Sequence, residues 1–277
     1  MKKAILITVV FLIPFMVFAQ DYPFLVAKSG EGKQTLIFIP GFACAGEVWN
    51  ETVEELNDNY TFYLLTMPGF AGIAPQENPS FEHWKTQIAE FIKQEKIESP
   101  ILIGHSMGGG LALAIASDFP NLCSKIIVVD ALPCLMALTN PNFQSNPNND
   151  CSDMINRIMN MNEEQFAQMQ RMSVASLTSN TSKFNEIVNW GLKSDRETYA
   201  KMYCDFSNTD LRERIEKITV PSLILLEPQF MIIETEINKQ YKNLSTALIK
   251  YADKGLHFLM YDDKEWFINQ LKDFIKK

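Results

Sequence analysis

One serine of this chain lies in a sequence context that favours nucleophilic chemistry. Ser106 is the central residue of a Gly-x-Ser-x-Gly pattern whose glycines are Gly104 and Gly108. The pattern follows the apolar residues 100–103 and precedes the Ala- and Leu-rich residues 110–116. A strand, a tight turn and a helix in this order are typical of a nucleophile elbow, in which a strained turn exposes the serine hydroxyl. We therefore predict Ser106 as a catalytic nucleophile, with Gly104 and Gly108 as the elbow glycines.

A serine hydroxyl becomes a strong nucleophile only when a base removes its proton, and the chain has three histidines that could do so. His105 adjoins Ser106, but adjacent elbow side chains point in different directions. His83 belongs to an amphipathic helical pattern, where we expect it at the surface. His257 lies in the loop after the last predicted strand, which ends at the same edge of the sheet as the elbow. We predict His257 as the base.

The segments around these residues alternate between strands and helices. Apolar runs typical of strands cover residues 35–39, 61–66, 100–104, 125–129, 221–226 and 247–249. Most of them lack the alternation of a half-exposed strand, as expected for parallel strands that are covered on both faces. Because helical patterns lie between them, the predicted fold class is α/β, with a doubly wound, mostly parallel sheet.

Residues 134–215 interrupt this alternation. They begin with an Asn- and Pro-rich stretch and continue as several helical patterns, so we interpret them as a helical cap inserted over the carboxyl edge of the sheet. Seven of the 13 methionines lie there: Met136, Met154, Met159, Met161, Met169, Met172 and Met202. For any single methionine, ordinary packing between short helices is the favoured interpretation. Since methionine adapts to irregular apolar ligands, as a group they suggest an apolar roof over the site.

The N-terminus has the pattern of a targeting signal. Lys2 and Lys3 precede an apolar run that is short for a membrane span and ends with small residues near Ala19. We predict a signal peptide over residues 1–19 and export, to a bacterial periplasm, without a stable membrane anchor after cleavage. The two parts of the core domain are then residues 20–133 and 216–277.

The formal charge of −8, without a block of lysine or arginine, argues against a nucleic-acid partner. It also argues against long-range steering of a highly anionic substrate. The five cysteines form no Cys-x-x-Cys pattern, so neither a zinc site nor a thioredoxin-type motif is indicated. A disulfide between Cys134 and Cys151 is one hypothesis. The favoured alternative is that the cysteines are small buried hydrophobic residues.

Several further segments resemble those of the α/β-hydrolase superfamily. Residues 40–49 resemble its H-G-x…W segment, residues 67–72 its D-x-P-G-x-G-x-S loop, residues 220–226 its penultimate strand, and residues 255–258 its G-x-H-F motif. The likeness is to the capped type, which includes bacterial esterases, C–C bond hydrolases, haloperoxidase-like enzymes and haloalkane dehalogenases. It covers residues 35–277 and is weakest in the cap.

The resemblance implies an oxyanion hole made by the backbone N–H groups of Phe42 and Met107, which would stabilise the negative charge that develops on a carbonyl oxygen. Pro40 stands where the family usually has histidine, and Met67 stands where it has aspartate. Both departures are expected to affect the positioning of loops and not the reaction itself.

Three carboxylate residues, Asp130, Glu227 and Glu234, are candidates for the acid that orients the histidine. The family's usual position falls on Phe230, which cannot orient an imidazole. Asp130 directly follows the apolar run 125–129, and Glu227 ends the next one. We favour Asp130 over Glu227, with Glu234 a distant third; all three preserve the chain order of serine, acid and histidine.

The resulting prediction is a serine hydrolase that cleaves a carboxylic ester, or another activated acyl bond, through an acyl-enzyme on Ser106. Its substrate would carry a small apolar acyl group, and no metal or organic cofactor is needed. A C–C bond hydrolase, an aminopeptidase and a cofactor-free perhydrolase would use the same three residues. A non-catalytic binding protein on the same fold is the alternative from another class, supported only by Phe230.

Overall fold

A single sheet organises the chain. The computed structural model describes residues 16–17, 22–56 and 59–276, and within these ranges eight strands form the sheet. The strands are β1 (Met16–Val17), β2 (Leu25–Ser29), β3 (Gln34–Ile39), β4 (Tyr60–Thr66), β5 (Ile101–His105), β6 (Lys125–Val129), β7 (Ser222–Leu226) and β8 (Ala247–Tyr251). Apart from β1, the predicted signal peptide lies outside the described residues.

The spatial order of the strands is β1-β2-β4-β3-β5-β6-β7-β8. The pairs β1–β2 and β2–β4 are antiparallel, and β3 to β8 are mutually parallel. The predicted α/β class with a mostly parallel sheet is therefore confirmed. In such a sheet the carboxyl ends of β5, β6 and β7 lie side by side, and the loops that follow them share one edge.

Helices connect the strands and cover the sheet. They are α1 (Asn50–Glu54), α2 (Phe81–Gln94), α3 (Met107–Asp118), α4 (Ser152–Met159), α5 (Glu163–Ala175), α6 (Thr181–Lys193), α7 (Arg196–Ser207), α8 (Glu234–Tyr241), α9 (Leu259–Asp262) and α10 (Lys264–Lys276). No helix among the described residues has the length and apolar character needed to span a bilayer.

The strands are apolar throughout because both faces of the sheet are buried. In β3, Ile37 and Ile39 pack in the same cluster as the apolar side chains of α2 and α3. The intervening Leu36 and Phe38 pack in a second cluster with α10. Side chains of successive strand residues point to opposite faces, so a run without alternation is what a sheet between two helical layers requires.

Four helices, α4 to α7, lie between β6 and β7, in the segment predicted as a cap. Hydrogen bonds join this segment to the rest of the domain. The carboxylate of Asp205, on α7, accepts a hydrogen bond of 2.7 Å from the backbone N–H of Phe81 at the start of α2. The backbone N–H of Asp195 donates to the carbonyl oxygen of Gly69 at 2.7 Å. These contacts hold the start and the end of α7 against the core domain.

The hypothesis of a disulfide between Cys134 and Cys151 is wrong. Cys151, at the N-terminus of α4, pairs instead with Cys204 on α7. Cys134 is fully buried, and its backbone N–H donates to the side chain of Gln240 on α8 at 3.0 Å. The favoured alternative, that all five cysteines are buried free residues, is confirmed for Cys44, Cys123 and Cys134 and is wrong for Cys151 and Cys204. The disulfide joins two helices that pack on each other. The two cysteines are 53 residues apart in the sequence, so this proximity could not be inferred from their spacing.

We expect the Cys151→Ser/Cys204→Ser double variant to lose about 2–4 kcal/mol of unfolding free energy, because the cross-link restricts the unfolded chain. Thermal or urea unfolding measures this loss. A reductant should lower the melting temperature of the wild type and leave that of the double variant unchanged. Titration of the unfolded, unreduced protein should find three free thiols; five free thiols would refute the pairing.

Candidate active site

Ser106 occupies a strained turn between β5 and α3. Its φ is +53° and its ψ is −122°, a backbone conformation that is rare for a residue with a side chain. Its N–H donates a 2.8 Å hydrogen bond to the carbonyl oxygen of Val129, at the end of the neighbouring strand β6. The turn is therefore held by the sheet itself, and Ser106 is presented at the carboxyl edge.

The two elbow glycines are required by close backbone contacts. A Cβ atom on Gly104 would lie 2.1 Å from the carbonyl oxygen of Gly108. A Cβ atom on Gly108 would lie 2.3 Å from the carbonyl oxygen of Ile39, at the end of β3. Neither position can hold a side chain unless the backbone moves, which explains the spacing of the motif.

The favoured acid and the predicted base are in direct contact. Nδ1 of His257 lies 2.6 Å from Oδ2 of Asp130, whose side chain is 1% exposed. The other carboxylate oxygen, Oδ1, accepts a 2.7 Å hydrogen bond from the backbone N–H of Glu227. Asp130 itself follows β6 with φ +48°, and its N–H donates to the carbonyl oxygen of Leu225 on β7. Both oxygens of this buried carboxylate are thus engaged.

The loop that carries His257 is fixed by its neighbours. The backbone N–H of Leu256 donates to the carboxylate of Asp262 at 2.9 Å. The carbonyl oxygen of His257 accepts a 3.0 Å hydrogen bond from Nε2 of His105. Burial, together with the adjacent His257, lowers the pKa of His105 well below its usual value, so that its ring stays neutral near pH 7. His105 therefore supports the loop, and His83 lies exposed on α2.

Ser106, Asp130 and His257 open into one cavity of about 350 Å³. The walls are mostly apolar and come from the core domain and from the segment between β6 and β7. The lining residues are Phe42, Cys44, His105, Ser106, Asp130, Ala131, Leu132, Leu135, Ser176, Leu177, Tyr203, Phe206, Glu227, Phe230, His257 and Phe258. The volume is that of a site for a small organic molecule.

The expected methionine roof is wrong, since none of the described residues that line the cavity is a methionine. Met154, Met161 and Met169 pack instead around the small cluster of Ile158, Phe166 and Ala200, and Met202 is in the main core. Met136, Met159 and Met172 are exposed. Short helices need packing partners of their own, and the four methionines in these clusters serve that purpose.

Aromatic residues of α7 line the cavity where methionines were expected. Tyr203 and Phe206 line the cavity, and the ring of Phe42 packs against Tyr199 and Tyr203 with centroid distances of 4.5 and 5.6 Å. The sequence contained a signal for this aromatic wall, namely the i, i+4 and i+7 spacing of Tyr199, Tyr203 and Phe206. It marks one face of a helix and indicates which side chains of the segment face the core domain.

The predicted oxyanion residues adjoin the elbow. Met107 is the first residue of α3, and Phe42 follows β3 in the cavity wall. Gly41, directly before Phe42, lies close to the elbow. A Cβ atom on it would lie 3.2 Å from Cβ of Ser106 and 2.7 Å from Nδ1 of His105. Glycine is therefore needed at position 41 for the loop to pass beside Ser106, a requirement that the sequence reasoning missed.

Glu227, the alternative acid, contributes its backbone and not its carboxyl to this arrangement. Its carboxyl group lines the cavity while its N–H binds Asp130. Burial, and then the charge of Asp130, raises the pKa of Glu227 to about 7, and His257 opposes the rise. Phe230 is also in the wall, and Glu234 begins α8 as an exposed residue. Of the three candidate acids, Asp130 is the one hydrogen-bonded to His257.

A strained serine elbow, an Asp–His pair and a lined cavity at the carboxyl edge of a mostly parallel sheet are features of a hydrolase. The family model of the alpha/beta hydrolase fold matches residues 34–225, and the chain belongs to this family. The resemblance in the sequence is thereby confirmed.

Relatives of known sequence and structure agree with this assignment. The pimeloyl-(acyl-carrier protein) methyl ester esterase of Vibrio cholerae is 23% identical over 248 residues, which cover 89% of this chain and 95% of that protein. An esterase from Exiguobacterium antarcticum has a TM-score of 0.75 at 18% identity, with 92% of this chain and 96% of that one covered. The enol-lactonase from Burkholderia xenovorans has the same TM-score and coverage at 14% identity. The two structures share the fold.

The raised pKa of Glu227 makes stability depend on pH in a defined direction. The folded state binds this proton more tightly than the unfolded state, so stability declines as the pH rises from the ordinary value of 4.5 through about 7. Glu227→Gln removes the ionisation. We expect it to raise the melting temperature relative to wild type at about pH 8, and progressively less as the pH is lowered towards 4.5.

The matched control is Glu234→Gln, an exposed carboxyl-to-amide change in the same segment. Its difference from wild type should be small at every pH. A Glu227→Gln difference that stays constant between about pH 5 and pH 8 would contradict the raised pKa.

Proposed function

We propose that this protein is a serine-dependent esterase that hydrolyses carboxylic esters through an acyl-enzyme on Ser106. The observation that carries the proposal is the 2.6 Å hydrogen bond between Asp130 and His257 in the wall of the cavity to which Ser106 is exposed. An acid, a base and an activated serine in the chain order Ser, Asp, His suffice for acyl transfer.

In the first half of the reaction, the Oγ atom of Ser106 attacks the ester carbonyl while Nε2 of His257 accepts the serine proton. The carbonyl oxygen becomes an oxyanion, to which the backbone N–H groups of Phe42 and Met107 donate. The tetrahedral intermediate collapses as His257 delivers its proton to the departing alkoxide. The products of this step are an alcohol and an acyl ester on Ser106.

In the second half, a water molecule attacks the acyl carbonyl and gives its proton to His257. The resulting intermediate expels Ser106, which recovers that proton, and the carboxylic acid leaves. Throughout, Asp130 holds Nδ1 of His257 protonated and stabilises the imidazolium that forms twice per cycle. This role is supported by the burial of Asp130 and by its second hydrogen bond, from the Glu227 N–H, which fixes the orientation of the carboxylate.

The substrate is an ester with a short-to-medium apolar acyl group. The cavity volume of about 350 Å³ and its apolar wall support this range. The relatives named as methyl ester esterases support ester cleavage in preference to the other reactions that a serine, histidine and acid can catalyse.

We also propose that the protein is exported to an oxidising compartment. The N-terminal targeting pattern supports export, and so does the Cys151–Cys204 disulfide, because disulfides persist outside the reducing cytosol. N-terminal sequencing of protein recovered from a periplasmic extract should give a start near Gln20. Recovery of the intact chain from the cytosol alone would contradict export.

The proposed function predicts Ser106-dependent turnover of p-nitrophenyl esters from acetate to decanoate, with an optimum at short or medium chain length. We expect Ser106→Ala to lower kcat by about three orders of magnitude or more, because no other group forms the acyl-enzyme. Continuous measurement of p-nitrophenolate release gives kcat and KM for each ester.

Ser173→Ala is the matched control, since Ser173 is an exposed serine on α5. It should retain wild-type kinetics. If wild type and Ser106→Ala release p-nitrophenolate at the same rate for every ester, the proposal fails, and a non-catalytic binding role on the same fold gains support.

A further inference from the structure

Glu227 is a carboxyl group in an otherwise mostly apolar wall. Its side chain lines the cavity that Ser106 and His257 share, beside apolar residues such as Phe230 and Leu132. Within the described residues, its carboxyl oxygens make no hydrogen bond or salt bridge, although those of Asp130 are both engaged. Glu227 is partly exposed in this ligand-sized cavity, so its carboxyl is available to a hydrogen-bond donor of a bound ligand.

The backbone around Glu227 is held in place. Its N–H donates to Asp130 at 2.7 Å, and its carbonyl oxygen accepts from the N–H of Phe230 at 3.2 Å, inside the short 3-10 helix Pro228–Ile233. The peptide groups on both sides of Glu227, directly after β7, are thus hydrogen-bonded. This anchoring restricts the region of the cavity that the carboxyl can reach, as a recognition group requires.

The charges that face Glu227 are predominantly negative. They are Asp130 at the end of β6 and Asp262 on α9, with His257 as the opposing basic group. The other titratable residues of the wall are Tyr203 on α7, His105 and Cys44, and burial keeps the last two neutral. His257 is hydrogen-bonded to Asp130 through Nδ1, and the described wall contains no lysine or arginine. A positively charged or proton-donating ligand group would therefore complement Glu227.

We propose that Glu227 is a specificity-determining residue that binds a hydrogen-bond donor of the substrate, an ammonium or a hydroxyl group, in this cavity. The proposal deepens the esterase function and rests on it: the acyl or alcohol part of the preferred ester carries such a donor at a distance from the reacting carbonyl. The apolar wall then binds the intervening carbon chain, and Glu227 rejects esters that place a carboxylate in the same position.

The ionisation of Glu227 gives the proposal a pH signature. With a pKa of about 7, the group is mostly protonated at pH 6 and mostly ionised at pH 8. An alkylammonium ion keeps its charge over this whole range. Its affinity should therefore increase with pH, and the increase should be smaller when residue 227 cannot ionise.

The test measures binding in the Ser106→Ala background, so that its result does not depend on turnover. The probes are n-hexylammonium, hexanoate, n-hexanol and 1-methoxypentane, an ether of similar shape without a donor. Calorimetry or ligand-observed NMR gives the affinities at about pH 6 and about pH 8. The protein variants are Ser106→Ala alone and combined with either Glu227→Gln or the exposed control Glu234→Gln.

At about pH 8 we expect Ser106→Ala to bind hexylammonium at least about tenfold more tightly than hexanoate, and to favour hexanol over the ether. Adding Glu227→Gln should abolish the preference for hexylammonium and reduce its pH dependence, whereas adding Glu234→Gln should preserve both. Retained binding of the ether would show that the cavity of the Glu227→Gln protein is intact.

The proposal is overturned if the preference for hexylammonium is the same with and without Glu227→Gln, or if no variant distinguishes the four probes. A hexanol preference that depends on Glu227 without an ammonium preference would identify a hydroxyl as the recognised group. Absent ester turnover by the wild type would instead count against the proposed function, and the two failures are therefore distinguishable.

Discussion

The site depends on one buried hydrogen bond, between the carboxylate of Asp130 and the ring of His257. A carboxylate with 1% of its side chain exposed is stable as an anion only when its oxygens are hydrogen-bonded. One oxygen uses His257 and the other the N–H of Glu227. The first bond orients the ring of His257, and the second ties the carboxylate of Asp130 to the residue that follows β7. The side chain of Asp130, which follows β6, therefore links the residue after β7 to the loop after β8.

The position of the acid illustrates what a parallel sheet permits. β6 and β7 are neighbours in register, with Val129 opposite Leu225, so the residues that follow them emerge side by side at the same edge. An acid after either strand can approach the loop that carries His257. In this chain the carboxylate of Asp130 is hydrogen-bonded to the ring of His257. Glu227 donates its backbone N–H to Asp130 and lines the cavity. The same division explains why Phe230 is compatible with the site: the wall needs an apolar residue there, and the acid is elsewhere.

Much of this arrangement could be predicted from the sequence, because its signals are local. Apolar runs mark strands buried on both faces, and the glycines around Ser106 mark a turn with no space for Cβ atoms. The choice between Asp130 and Glu227 could be ranked but not decided, since it depends on side-chain orientation. Packing of single methionines between short helices could be expected, but neither their packing partners nor the pairing of Cys151 with Cys204 could be predicted. Both depend on how short helices pack on one another, for which sequence periodicity indicates a face and not a partner.

We propose that Asp130, and not Glu227, activates Ser106 through His257. The most direct test compares the rates at which a fluorophosphonate labels wild type, Asp130→Asn and Glu227→Gln, with intact mass to confirm a single adduct. The account predicts that Asp130→Asn slows labelling by about 10³- to 10⁴-fold, because the amide stabilises the wrong tautomer and cannot stabilise the imidazolium. Glu227→Gln should slow it by less than about tenfold. Near-wild-type labelling of Asp130→Asn together with loss of labelling in Glu227→Gln would contradict the account.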